Sequence, residues 1–82
     1  MRVAADISLY PLTEEFIPPI KDVIARLKSH TSLEIETNAM STQVRGEFED
    51  VMSALHKEIG LTFASNPKAV FAIKILNNPL EG

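Results

Sequence analysis

From Arg2 to Tyr10 apolar and polar side chains alternate with a period of two. Val3, Ala5, Ile7 and Leu9 fall on one side, Ala4, Asp6, Ser8 and Tyr10 on the other. That spacing predicts a strand with one apolar face, closed by Pro11. The period then lengthens. Phe16, Ile20, Val23, Ile24 and Leu27 share one stripe of a helix over residues 16–29, with Lys21, Asp22, Arg26 and Lys28 opposite. Pro18 and Pro19 fit its first turn, where the N–H groups have no intrahelical partner. Residues 33–38 alternate again, and "NAM" marks a turn because Asn tolerates positive φ. "STQVRG" (41–46) reads as the returning strand, anchored by Val44. A second helix follows Gly46, with Phe48, Val51, Met52, Leu55 and Ile59 as its stripe and Glu47, Glu49 and Asp50 in its first turn, where the helix dipole favours negative charge. Gly60 is its expected stop, with fraying as far as Ala64. "AVFAIKIL" (69–76) is the last strand, with Phe71, Ile73 and Ile75 on one face.

The predicted order is βαββαβ, an α+β chain. Right-handed crossovers place both helices on one face of a four-stranded antiparallel sheet, the ferredoxin-like arrangement. The helices are expected to cover Val3, Ile7, Leu9, Ile35, Val44, Phe71, Ile73 and Ile75. The other face carries Ala4, Asp6, Ser8, Tyr10, Glu36, Asn38, Ser41, Gln43, Arg45, Val70, Ala72 and Lys74. A solvated face would hold more Lys and Glu and fewer alanines. This one is expected to meet another surface, most simply a second copy of the same sheet.

Eighty-two residues make a single domain, 1–82. The chain has no cysteine, which excludes a disulfide framework and thiolate catalysis and fits a reducing cytoplasm. Eight basic residues against eleven acidic ones argue against binding a nucleic-acid backbone. The third strand lacks the aromatics on which an RNA-binding sheet stacks bases. No apolar run approaches the roughly 18–20 residues of a membrane span, and Asp6 interrupts what would be a signal peptide's apolar core. The expectation is a soluble cytoplasmic protein with no membrane partner. His30 and His56 lie 26 residues apart without a ligand-spaced companion, so both read as surface histidines and no metal is expected. The glycines, at 46, 60 and 82, form no phosphate loop and no cofactor is expected. An acyl-phosphate hydrolase of this topology would need an arginine-bearing loop after the first strand, where the chain has the acidic "YPLTEE".

At "SLYPL" (8–12), "IPPI" (17–20) and "ETNAMSTQVRGEFEDVM" (36–52), continuing to the "VFAIKI" strand, the sequence resembles the thiamine-binding protein family, the YkoF-like proteins. The resemblance implies a ferredoxin-like fold, assembly into dimers or tetramers and, in some members, binding of thiamine or its hydroxymethylpyrimidine part. A single module of this kind would form any pocket between modules by self-association.

Thiamine joins a cationic thiazolium to a flat aminopyrimidine. A carboxylate holds such a cation by charge, and an aromatic face adds about 0.5–2 kcal/mol of cation–π attraction. Hydroxyls and amides read the pyrimidine edge. The candidate ligand-binding residues are therefore Asp6, Ser8, Tyr10, Glu36, Asn38, Ser41 and Thr42. Each has a structural alternative. Asn38 is equally suited to a hairpin turn, and Ser41 and Thr42 to a strand. Tyr10 and Ser8 are at home in an interface, Glu47 at a helix N-terminus and Gly46 at a bend. The expected function is non-catalytic binding of thiamine or a related pyrimidine by a homo-oligomer. The alternative is a structural or regulatory oligomer whose open face serves assembly alone, and an enzyme ranks third.

Overall fold

The computed structural model describes residues 1–79. Its elements are β1 (Arg2–Pro11), α1 (Ile17–Lys28), β2 (Glu34–Thr37), β3 (Thr42–Glu47), α2 (Phe48–Ser65) and β4 (Ala69–Asn77). All strand pairs are antiparallel and the sheet order is β2-β3-β1-β4. This is the α+β, ferredoxin-like architecture that the periodicity predicts, with β1 at the centre of the sheet. The alternation in β1 translates directly into burial. Val3, Ala5, Ile7 and Leu9 are core residues, and they meet Val23 and Leu27 of α1, Val44 of β3, and Val51, Ala54 and Leu55 of α2.

Three parts of the pattern come out differently. Ile75 lies in register with Ala5, yet it is 47% exposed. β4 is an edge strand, and residues 74–77 at its C-terminal end are all exposed. Phe48 and Met52 are likewise exposed, and the buried stripe of α2 is instead Val51, Ala54, Leu55, Glu58 and Thr62. Finally, α2 does not stop at Gly60 but runs on to Ser65. The cost of a helical glycine, about 1 kcal/mol relative to alanine, is small beside what its last turn gains. There Phe63 packs edge-on against Phe71 of β4, with ring centroids 5.6 Å apart.

The two internal glycines have opposite roles. A Cβ at Gly60 would meet nothing within 4 Å, and its φ is not positive. Gly60→Ala is therefore expected to stabilise the protein by about 0.5–1 kcal/mol. At Gly46 an added Cβ would lie 2.8 Å from Leu33 Cδ2 and 3.4 Å from the Ser32 carbonyl oxygen. Its φ is also ordinary, so close approach, not a special bend, demands glycine there. Gly46→Ala is expected to cost about 1–3 kcal/mol through overpacking. Urea unfolding of the two variants beside the parent checks both signs.

The buried part of α2 includes a charge. Glu58 is 3% exposed. Its Oε1 accepts from Arg26 Nη1 of α1 at 2.6 Å, and its Oε2 lies 2.6 Å from His30 Nε2. Arg26 also donates to the Glu58 carbonyl, to Thr62 Oγ1 and, through Nε, to Asp22. His30 is thus no surface histidine but part of the contact that joins α1 to α2. Burial by itself pushes the Glu58 carboxyl up. The hydrogen bonds from His30 and Arg26, with their attraction for the carboxylate, outweigh it and hold the group below its ordinary value. Glu47 is another departure. It precedes α2 without capping it through its side chain, and its carboxylate instead takes the Met1 ammonium at 3.1 Å.

Candidate functional site

The β1–β3 ladder runs from Arg2↔Glu47 to Ile7↔Thr42 and goes no further. β1 continues to Pro11, still paired with β4 but with nothing from β3 beside it. The cause is the turn joining β2 to β3. Asn38 Oδ1 accepts the backbone N–H groups of Met40 and Ser41, at 2.8 and 3.1 Å, and the Asn38 N–H donates to the Ser41 carbonyl. This Asx turn bends the chain away from β1, leaving Met40 86% exposed. The Ser41 hydroxyl donates to Asp6 Oδ1 and ties the base of the turn back to β1.

The space left open is a crevice of about 180 Å³ between α1, the end of β1 and the β2–β3 hairpin. Ile7 and Leu9 line it from β1, and Ile20, Val23, Ile24 and Leu27 from α1. Thr37, Asn38, Ala39, Met40, Ser41 and Thr42 supply the hairpin side, and Ser8 and Tyr10 complete the β1 contribution. None of these residues is charged. The hydroxyls of Thr37 and Thr42 lie 3.0 Å apart, so one donates to the other and the second retains its proton for a further acceptor. Arg26 precedes Leu27 on α1, so its pairing with Glu58 also fixes the helical wall of the crevice.

Of the seven candidate residues, Ser8, Tyr10, Asn38, Ser41 and Thr42 line this crevice, while Asp6 and Glu36 do not. Their placement differs from a site spread over the open face. Thr42 is buried on the helix side of the sheet, opposite Ile7. Asp6 belongs to the open face, in register with Gln43 and Lys74, and supports Ser41. Glu36 is exposed opposite Gln43. Thr37 and the apolar wall from α1 were absent from the candidates. Thr37 shares the helix-facing parity of Ile35, the one signal that could have marked it.

The open face holds a second, shallower depression of about 450 Å³, lined by Ala4, Asp6, Gln43, Arg45, Lys74 and Leu76 together with Ala5 and Ile75. Tyr10, Val70 and Leu76 are exposed on the same face, at 56%, 49% and 58%. Among the described residues no group of three His, Cys, Asp or Glu side chains could hold a metal ion. No described helix is long and apolar enough to cross a membrane.

Comparison with known proteins adds an independent line. No curated protein matches the chain. Among solved structures, a protein of Streptococcus pneumoniae superposes with a TM-score of 0.89 at 21% identity, covering 98% of this chain and 90% of its own. A Thermotoga maritima protein, named for a proposed role in thiamine biosynthesis or salvage, gives 0.85 at 21% identity, over 95% of this chain and 85% of its own. A hypothetical protein of Methanocaldococcus jannascii gives 0.82 at 24% identity, over 99% and 84%. These likenesses establish the shared fold. The sequence profile described as "Thiamine-binding protein" matches residues 5–79, from β1 to the end of the described chain. The chain therefore belongs to the thiamine-binding protein family.

Proposed function

We propose that the chain binds thiamine, or a thiamine-related hydroxymethylpyrimidine, in the crevice beneath the β2–β3 hairpin and releases it unaltered. One observation carries the reading: in a member of this family, the crevice has apolar walls, an uncharged polar rim and room for a single ring. A cavity of about 150 Å³ accepts benzene, whereas pockets for drug-sized ligands run from about 300 Å³. The 180 Å³ here suits the pyrimidine half and leaves a thiazolium outside. Binding without reaction is supported by the lining, which contains no carboxylate, imidazole or amine to take up or deliver a proton. The role named for the Thermotoga maritima relative points to the same ligand class.

Calorimetric titration with thiamine, its phosphates and hydroxymethylpyrimidine tests the proposal. Thiamine and the free pyrimidine are expected to bind and to be recovered unchanged. Absence of heat with every one of them would overturn it.

The exposed Tyr10, Val70 and Leu76 favour a second reading alongside the first, self-association through the open face into dimers or tetramers. Leu76→Glu, which places a charge on that surface, is then expected to shift the sedimentation coefficient to that of a monomer. An unchanged assembly would exclude this face.

A further inference from the structure

Antiparallel pairing sends the N–H and C=O of successive residues to opposite sides of a strand. In β1 the sides are fixed at both ends. The carbonyls of Met1 and Arg2 accept from Phe48, just beyond β3, and from Asn78, just beyond β4. At the other end the Leu12 N–H donates to the Lys68 carbonyl on the β4 side. Even-numbered residues of β1 therefore bond toward β4 and odd-numbered residues toward β3. Val3, Ala5 and Ile7 find Gly46, Val44 and Thr42 there. The same register would give Leu9 to Met40, but the Asn38 turn has already carried Met40 away. By that parity neither the Leu9 N–H nor its C=O has a ladder partner, and none of the turn and loop hydrogen bonds of the described residues involves them. Yet Leu9 is only 8% exposed and lines the crevice.

Buried main-chain donors and acceptors are paired in well over nine cases in ten, so a bare pair at the wall of a cavity calls for a partner from outside the chain. We propose that the Leu9 N–H and C=O are the reading edge of this site, and that a neutral aminopyrimidine completes the ladder in place of the missing β3 residue. The proposal rests on the thiamine-type reading of the crevice and specifies how the ring is recognised. The two groups lie parallel on one edge, as in a hydrogen-bonded strand pair. An aminopyrimidine presents the complement side by side, a ring nitrogen to accept from the N–H and an amino group to donate to the C=O. Ile20, Val23 and Ile24 supply the apolar wall contributed by α1. An incoming peptide strand fits less well. It needs a run of alternate pairs, and the next residue on this edge is Pro11, which has no N–H.

Amide hydrogen exchange followed by NMR on the full chain tests the main-chain contact, with hydroxymethylpyrimidine as the probe. In the free protein the Leu9 amide is expected to exchange faster than those of Ile7 and Ser8. At saturation its resonance should move and its exchange slow at least tenfold, with Ser8 and Tyr10 unchanged. An analogue with hydrogen in place of the amino group should bind about five- to tenfold more weakly, the effect of one lost hydrogen bond. Replacing the Leu9 amide by an ester should cost a similar factor. Binding that leaves Leu9 exchange unchanged, and that neither the analogue nor the ester weakens, would overturn this contact while the proposed function stood. No binding of the pyrimidine at all would overturn both.

Discussion

Glu58→Ala is expected to lower the unfolding free energy by about 3 kcal/mol, the scale of breaking a buried ion pair by removing one partner. The carboxylate is 3% exposed and receives Arg26 from the other helix. Removing it takes the buried carboxylate from a guanidinium whose side chain is only 21% exposed, leaving it Asp22, Thr62 and a main-chain carbonyl, and it also removes the acceptor for His30. For a domain of this size the melting temperature would fall by roughly 15 °C. The pH dependence follows from the lowered value of Glu58. A carboxyl held below its unfolded value contributes fully above that unfolded value, and the contribution disappears as pH falls through the lower, folded one. Parent minus Glu58→Gln stability, measured by urea unfolding, should therefore shrink on acidification below the ordinary glutamate range. A difference that persists to low pH would show that the carboxylate's charge is not what stabilises the contact.

Ile24→Trp is expected to weaken ligand binding by more than a hundredfold, or upwards of about 2.7 kcal/mol. Ile24 lies on the crevice side of α1 and is only partly buried, so a larger ring there occupies the cavity without displacing the core beneath. Circular dichroism and thermal unfolding should remain close to the parent. As the matching control, Glu36→Gln alters an exposed charge on the other face and is expected to leave affinity within about twofold. Loss of binding in Glu36→Gln with retention in Ile24→Trp would move the site to the open face.

The β1 alternation was legible because a central strand, packed on one side, converts a two-residue period into burial with little interference. Ile75 has the same parity but sits on an edge strand, and periodicity carries no information about how far a neighbouring layer extends. Glu58 was hidden for a different reason. Its burial is permitted by Arg26, 32 residues earlier, and a local window that counts charges as solvent-facing assigns the stripe of α2 to Phe48 and Met52 instead. In the candidate site, the polar hairpin "ETNAMSTQVRGE" was conspicuous, and five of the seven residues chosen do line one cavity. Their division of labour was not visible. Asn38 is occupied with two backbone N–H groups and Asp6 with the Ser41 hydroxyl, so both act by holding the turn open. Where a ladder ends depends on a turn remote in sequence from the strand it exposes.

The bare edge at Leu9 has a consequence for mutational tolerance. A main-chain N–H and C=O are common to nineteen of the twenty amino acids, so position 9 is free to change side chain, within what the core accepts, and still offer the same two groups. Proline is the exception. Selection for this edge would act on positions away from it, on the Asn38 turn that keeps Met40 at a distance and on the Asp6–Ser41 contact beneath it. Homologues could then drift at the position that touches the ligand while remaining fixed at the turn that exposes it.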